Sequence, residues 1–191
     1  MTPEAASRVA WVVWVISWFG AAAAWRSRSV KRASAASEVG YRVPVLAGAI
    51  FMFGPPGVRA SGRTALWRPD VPLAWAIVGV VACGLLLTWW ARIHLGRLWS
   101  SQVTRKENHH IVDTGPYGIV RHPIYTGITL ATLATAALLP TASTLAGAVL
   151  MTAGLYMKAR VEERFLRREL GAEAYDAYAR RVPMLVPFAP R

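Results

Sequence analysis

The strongest constraint on this chain is an apolar run from Val71 to Ala91 that contains no charged residue and closes with Trp89 and Trp90. A helix needs about 20 mostly apolar residues to cross the hydrocarbon core of a bilayer. Tryptophan is enriched where such a helix meets the lipid headgroups. The run therefore predicts a transmembrane helix, and the rest of the chain is interpreted as part of a membrane protein.

Four further stretches are apolar enough to predict membrane spans. They cover residues 9–25, 41–58, 124–139 and 142–157, and the last two form a helical hairpin around Pro140. Pro44, Pro55 and Pro56 interrupt the second stretch, and the Pro55–Pro56 pair is expected to end its helix. The first stretch is interpreted as a retained span, because a signal peptide carries its basic residues before the apolar region and here most of them follow it.

The predicted fold class is all-α. We expect an integral membrane bundle of five transmembrane helices with an amphipathic C-terminal helix, in one membrane domain over residues 1–191. The third span is followed by a polar loop of residues 92–123, and the fifth by a basic tail of residues 158–191.

Basic residues are concentrated in the first linker, in this polar loop and in the tail. An excess of lysine and arginine marks the cytoplasmic side of a membrane protein. With five spans, the rule puts the N-terminus outside and the loop, the tail and any site they form in the cytoplasm.

The net charge of +12 is then explained by topology and by membrane lipids as partners. Nucleic acid is not expected as a partner, because the chain has no matching motif.

The polar loop contains the first candidate site. Pro123 suits the first turn of the following helix, which would place Arg121 and His122 at its N-terminus and Tyr125 one turn inside. Free backbone N–H groups and the helix dipole favour an anion at such a terminus. The pattern therefore predicts a corner that binds a carboxylate or phosphate, with a simple headgroup anchor as the alternative.

A metal centre is not expected in this loop. His109, His110 and His122 are possible ligands, but adjacent histidines rarely converge on one ion, and neither a cysteine nor an HExxH helix supports them.

The second candidate site is the Glu162-Glu163 pair in the tail. Val161, Phe165 and Leu166 share one side of a helix there, which is also the pattern of an amphipathic helix lying on the membrane surface. Carboxylates close to the membrane face of a bundle are costly unless they are paired. The pair is therefore interpreted either as solvated or as part of a site.

The two sites together resemble the isoprenylcysteine carboxyl methyltransferase family and its wider relatives, which include phospholipid N-methyltransferases. The resemblance covers roughly the second half of the chain. It rests on His109-x-Ile-Val112-x-x-Gly115-Pro-Tyr117, Arg121-His122-Pro123-x-Tyr125-x-Gly127, Glu162-Glu163, Tyr175-x-x-Tyr178 and Arg181-Val182-Pro183. The motif of either site alone is a moderate signal for this family. The motifs of both sites, in this order, are a strong signal.

The resemblance implies a membrane methyltransferase that uses S-adenosyl-L-methionine in a cytoplasm-facing pocket. No glycine-rich strand-turn-helix is present that would bind the cofactor in the Rossmann manner. By this similarity the catalytic residues are Arg160, as a contact for the substrate carboxylate, and Glu163. The cofactor would be bound by Gln102, His109, His110, Ile111, Val112, Tyr117, Arg121, His122, Pro123, Tyr125 and Glu163.

The expected acceptor is a lipophilic small molecule that enters from the bilayer, and O-methylation of an isoprenylcysteine-like carboxylate is favoured. Three alternatives stay open: an N- or S-methyltransferase of another lipid-like substrate, a non-catalytic membrane scaffold, and a nicotinamide-dependent membrane reductase. Resemblance at a cofactor site transfers poorly to substrate specificity.

Overall fold

The computed structural model describes residues 1–24, 29–32, 34–55, 64–99, 104–106 and 111–189. This part of the chain contains six α-helices: α1 (Pro3–Ala24), α2 (Ala35–Phe53), α3 (Val71–Leu95), α4 (Pro123–Leu138), α5 (Ala142–Leu170) and α6 (Ala172–Arg181). Two short strands, β1 (Ser29–Arg32) and β2 (Thr104–Lys106), pair antiparallel. The predicted helical fold is confirmed, and the β1–β2 pair is the one element of another kind in the described residues.

The observed helix bounds differ from the predicted spans at several ends. Helix α1 begins at Pro3, and α2 begins at Ala35 and continues through Pro44. Helix α2 ends at Phe53, two residues before Pro55, because a residue that precedes proline is disfavoured in a helix. Helix α3 is four residues longer than its predicted span, and α5 continues without a break to Leu170.

Helix α3 is the one helix among the described residues that is long and apolar enough to cross a membrane. Helix α4 has 16 residues, and α2 and α5 carry charged side chains. The five-span arrangement therefore stays a prediction. Large apolar side chains are nevertheless exposed along α1 and α2 as well as α3, among them Val13, Ile16, Val43, Leu46 and Leu86. Exposed apolar surface of this extent marks a membrane or protein contact.

Helix α2 packs mainly on α5, and α3 mainly on α4. Both pairs approach closely at glycines. A Cβ atom built on Gly84 of α3 would lie 2.6 Å from the carbonyl oxygen of Gly127 in α4. Small residues are what allow helix backbones to come this close in membrane proteins.

Substitution of Gly84 by alanine should therefore destabilise the protein by about 1–3 kcal/mol, the usual cost of overpacking. The matched control is Gly79→Ala on the same helix, where a Cβ atom meets nothing within 4 Å. That change should be neutral or stabilising by up to about 1 kcal/mol, because alanine restricts the unfolded chain. Unfolding free energies measured in detergent would check both, and equal effects would contradict the close contact.

Candidate functional site

A cavity of about 560 Å³ lies between all six helices. One end is apolar and aromatic, and the other carries charged and hydroxyl side chains. The apolar wall includes Trp14, Trp18, Phe19, Val45, Leu46, Leu98, Trp99, Ile124, Ile128 and Leu155. The polar wall includes Tyr41, Arg42, Tyr117, Arg121, His122, Tyr125, Lys158, Glu162, Tyr175 and Tyr178. Ligand sites commonly combine an apolar surface with a few polar groups in this way.

The start of α4 presents His122 and Tyr125 to the cavity. A turn at Gly115, with φ 55°, leads into a short 3₁₀ segment whose Tyr117 is buried. Pro123 then begins α4, as predicted. The His122 and Tyr125 rings stack with centroids 5.3 Å apart and nearly parallel planes. His122 is buried, and its Nε2 lies 3.4 Å from Oε1 of Glu163 without forming a hydrogen bond.

Arg121 joins the loop to α5 and to the tail. Its Nε donates to Oε1 of Glu163 at 2.7 Å, and its Nη1 donates to the carbonyl oxygens of Ala179 at 3.0 Å and Val182 at 2.6 Å. Only 12% of the Arg121 side chain and 14% of the Glu163 side chain is exposed. Burial alone would raise the pKa of Glu163, but His122 and Arg121 outweigh burial and place that pKa below its ordinary value. The pair is thus ionised at neutral pH and holds the tail in place.

Tail residues also occupy backbone donors at the start of α4. The N–H groups of Arg121 and His122 donate to the carbonyl oxygens of Pro183 at 2.8 Å and Met184 at 3.1 Å. The Thr126 hydroxyl donates to the carbonyl oxygen of Leu185 at 2.6 Å. We call residues 183–185 the tail strap. The corner predicted for an anion is therefore filled in part by the protein's own carbonyl groups.

The carboxylate on the cavity wall is Glu162. Its Oε2 accepts a hydrogen bond from the Tyr125 hydroxyl at 2.6 Å and lies 3.9 Å from Nδ1 of His122. Lys158 lies one turn earlier on the same face of α5, with its Nζ 5.2 Å from the Tyr125 ring centroid. Among the described residues, Glu162 is the one acidic side chain that lines the cavity.

Three tyrosines close the polar end. The Tyr178 hydroxyl donates to the carbonyl oxygen of Tyr117 at 2.8 Å, and the Tyr175 and Tyr178 rings meet edge to face. Burial raises the pKa of the Tyr117, Tyr175 and Tyr178 hydroxyls above the ordinary range. These hydroxyls therefore stay protonated at neutral pH and serve as hydrogen-bond donors, not as bases.

The aromatic wall of the apolar end is fixed by polar contacts behind it. Trp14 stacks on Trp18 with centroids 4.9 Å apart, and its Nε1 donates to the Thr88 hydroxyl at 2.7 Å. The buried guanidinium of Arg92 lies 4.3 Å from the Trp18 ring centroid and 3.8 Å from that of Trp99. Cation–π contacts of this kind are favourable, and more so when they are desolvated.

The structure brings most of the predicted cofactor-site residues together. Ile111, Val112, Tyr117, Arg121, His122 and Tyr125 line the cavity, and buried Pro123 lies behind them at the start of α4. Two predicted residues do not reach the cavity: Glu163 is paired with Arg121, and Arg160 is exposed on another face of α5. Gln102, His109 and His110 lie outside the described residues.

Sequence reasoning missed Lys158 as a cavity residue and, within the Glu162-Glu163 pair, assigned the site to Glu163, whereas Glu162 lines the cavity. The signal was the spacing of Leu155, Lys158, Glu162 and Leu166, which share one face of a helix and all line the cavity. Glu163 falls on the next face. The tryptophans of α1 carried no comparable signal, because bilayer-facing and cavity-facing aromatic residues look alike in a sequence.

No group of three or more histidine, cysteine, aspartate or glutamate side chains in the described part of the chain is placed to hold a metal ion. His109 and His110, which the sequence offered as possible ligands, lie outside the described residues.

Known proteins match a segment of the chain that supplies much of the polar end of the cavity. The sequence model of the isoprenylcysteine carboxyl methyltransferase family matches residues 76–168. This segment contains most of α3, all of α4 and the Glu162-Glu163 pair. Over these residues the chain is similar to that family.

The individual proteins that this chain resembles carry different names. The chain is 33% identical over 112 residues to "Protein-S-isoprenylcysteine O-methyltransferase B" of Arabidopsis thaliana, covering 57% of this chain and 56% of the relative. It is 34% identical over 134 residues to "Methanethiol S-methyltransferase 2" of Bradyrhizobium diazoefficiens, covering 65% and 50%. It is also 33% identical over 95 residues to "Cobalt-zinc-cadmium resistance protein CzcN" of Cupriavidus metallidurans, covering 49% and 43%. The chain thus spans about half the length of the curated relatives it matches.

Proposed function

We propose that this chain is a membrane methyltransferase that transfers a methyl group from S-adenosyl-L-methionine to a lipophilic acceptor, with a carboxylate as the favoured acceptor group. The observation that carries the proposal is one cavity with a polar end and an apolar end. The matched segment of residues 76–168 supplies Tyr117, Arg121, His122, Tyr125, Lys158 and Glu162 to the polar end, and α1 and α2 supply Trp14, Trp18, Phe19, Val45 and Leu46 to the apolar end. A cofactor and an apolar acceptor need such adjoining environments.

The residues at the polar end suit the cofactor. Glu162 is a carboxylate for an ammonium or ribose hydroxyl, and Tyr117 and Tyr125 offer aromatic faces that favour a cation. The buried Nε2 of His122 has no hydrogen-bond partner among the described residues, so a bound carboxylate or hydroxyl would satisfy it. When bound, the cofactor supplies a methyl group activated by a sulfonium.

A carboxylate acceptor needs no base from the protein, because it is already ionised at neutral pH. With the cofactor bound, methyl transfer to the carboxylate oxygen would form an O–C bond as the C–S bond breaks, and the two opposite charges would neutralise each other. No proton is released. An apolar, water-poor cavity favours a reaction in which charge disappears. Alignment of the reacting atoms lowers much of the remaining activation barrier.

A thiol acceptor is the second candidate, and the Tyr125–Glu162 hydrogen bond favours it. A thiol has to lose its proton before or during methyl transfer. The Glu162 carboxylate is placed to take that proton directly or through the Tyr125 hydroxyl. One relative is named as a methanethiol S-methyltransferase.

We further propose that the polar end of the cavity faces the cytoplasm and the N-terminus lies outside. The basic residues of α6 and of the last turns of α5 lie at this end of the molecule, and basic segments mark the cytoplasmic side.

The test is the melting temperature of the detergent-purified protein with S-adenosylmethionine, S-adenosylhomocysteine or NADPH. A ligand at 100 times its Kd stabilises the native state by about 2.7 kcal/mol, so the first two should raise the melting temperature by several degrees. The shift should disappear in His122→Ala and persist in Glu173→Ala, because Glu173 is exposed and does not line the cavity.

Two results would contradict the proposal. A cooperative melt that none of the three compounds shifts would favour a scaffold without a cofactor. A shift with NADPH alone would favour a reductase.

A further inference from the structure

His94 lies in the last turn of α3, beside the candidate site but outside its cavity. The side chain is exposed to solvent and does not line the cavity. A Cβ atom built on Gly115 would nevertheless lie 2.7 Å from Cε1, 2.9 Å from Nδ1 and 3.0 Å from Nε2 of His94. Distances this similar mean that the Gly115 backbone lies over the face of the imidazole ring, because an approach in the ring plane would leave both nitrogens clearly farther away than the carbon.

The turn at Gly115 fits this ring closely. The neighbouring Thr114 hydroxyl forms a 2.9 Å hydrogen bond with Nε2 of His94. Gly115 itself has φ 55°, a conformation that glycine adopts without steric cost. Any side chain at position 115 would meet both an unfavourable φ and the histidine ring. The ring and the turn are therefore complementary surfaces.

The same turn places Tyr117 in the cavity wall. The backbone N–H of Tyr117 donates to the carbonyl oxygen of Thr114 at 3.1 Å, which closes the turn. The Tyr117 ring is buried, lines the cavity and lies at 25° to the His94 ring with centroids 6.3 Å apart. Its carbonyl oxygen accepts the hydrogen bond from the Tyr178 hydroxyl. His94 thus supports the turn from one side, and two tyrosines of the cavity depend on that turn from the other.

Helix α3 is the fixed partner in this contact. It spans 25 residues, is capped by the Asp70 side chain and packs along α4. Residues 111–122 contain only the short 3₁₀ segment, so Tyr117 has no α-helix of its own to hold it. A site side chain in such a segment keeps its position through the groups packed behind it.

We propose that His94 is a positioning residue of the candidate site: its ring is the surface on which the turn at Gly115 folds, and through that turn it fixes Tyr117. His94 acts only through Tyr117, because its own side chain does not reach the cavity. The expected effect on cofactor affinity rests on the proposed function, whereas the effect on the tyrosines does not.

The first test is ¹⁹F NMR of the detergent-purified protein labelled with 3-fluorotyrosine, without cofactor. The chain has six tyrosines, and Tyr178→Phe assigns the Tyr178 resonance. Tyr178 is the reporter because its hydroxyl bonds to the Tyr117 backbone and senses a displaced turn, while its ring packs on Tyr175 and not on His94. His94→Ala should shift or broaden this resonance. His94→Phe should leave it close to that of the parent, because a phenyl ring still supports the turn.

The second test is the Kd of S-adenosylhomocysteine, measured by calorimetry. His94→Ala should weaken binding severalfold, because Tyr117 is no longer held in the cavity wall, and His94→Phe should restore most of the affinity. A histidine with only a structural role would lower the melting temperature and leave the Kd of the folded protein unchanged. The matched control is Ile93→Ala at the preceding position of α3. Ile93 is 61% exposed and does not line the cavity, so both measurements should equal those of the parent.

Four results would overturn the positioning role. They are a Tyr178 resonance that His94→Ala leaves unchanged, an unchanged Kd in His94→Ala, equal effects of His94→Ala and Ile93→Ala, and a His94→Phe variant that behaves like His94→Ala. If the parent binds no S-adenosylhomocysteine while the Tyr178 resonance still responds to His94→Ala, the proposed function fails and the positioning of Tyr117 stands.

Discussion

Replacing Arg121 with methionine should cost about 3–5 kcal/mol of unfolding free energy, the range found when one partner of a buried ion pair is removed. The change leaves the Glu163 carboxylate without its 2.7 Å partner, and the carbonyl oxygens of Ala179 and Val182 lose a charged donor. Methionine keeps much of the arginine volume, so the loss is mainly electrostatic. Reversible unfolding in detergent would measure it.

Arg167→Met is the matched control. Arg167 also binds a carboxylate, Asp176, with two bonds of 2.8 Å, but both partners are exposed to solvent. Water replaces an exposed partner, so this substitution should change the unfolding free energy far less. Similar losses in the two variants would mean that Arg121 does not hold the tail as the structure indicates.

Substitution of Glu162 by glutamine should weaken binding of S-adenosylmethionine by about 10- to 150-fold, the equivalent of a charged hydrogen bond of about 1.5–3 kcal/mol. Glutamine still accepts a hydrogen bond from Tyr125, so the substitution removes the charge and keeps the shape. The unfolding free energy should change little, because the side chain is 30% exposed. Calorimetry on the purified protein would give the Kd.

Two further variants decide between the neighbouring carboxylates. Glu173→Gln, on the exposed side of α6, should bind the cofactor as the parent does. Glu163→Gln should mainly lower stability, because Glu163 is paired with Arg121. If Glu163→Gln keeps its stability and loses cofactor binding while Glu162→Gln binds normally, the assignment made from the sequence is right and the one made from the structure is wrong.

The elements that sequence reasoning found were those with strong local signals. The apolar run from Val71 and the Pro123 start of α4 each fix a helix through nearby residues. His122 and Tyr125 could be placed at one site for the same reason, since Pro123 sets the register of both.

Contacts between distant residues could not be predicted in this way. Arg121 and Val182 are 61 positions apart, and no periodicity indicates that the tail pairs with the start of α4. The assignment of Arg160 to the substrate depended on resemblance alone, whereas helical phase places Lys158 and Glu162 on the cavity face. The β1–β2 pair joins two polar segments without alternating hydrophobicity, so nothing in its sequence indicated strands.

The tail strap has a consequence for how the protein is made. Membrane helices insert and then associate, and synthesis adds about 5–20 residues per second from the N-terminus. Residues 183–185 come off the ribosome after all of α1 to α6, yet their carbonyl groups complete the surroundings of Arg121 and His122. At that rate residue 183 follows the end of α4 by about 2–9 s and the end of α6 by less than about 1 s. Helices α1 to α4 are therefore made seconds before the polar end of the cavity can be completed.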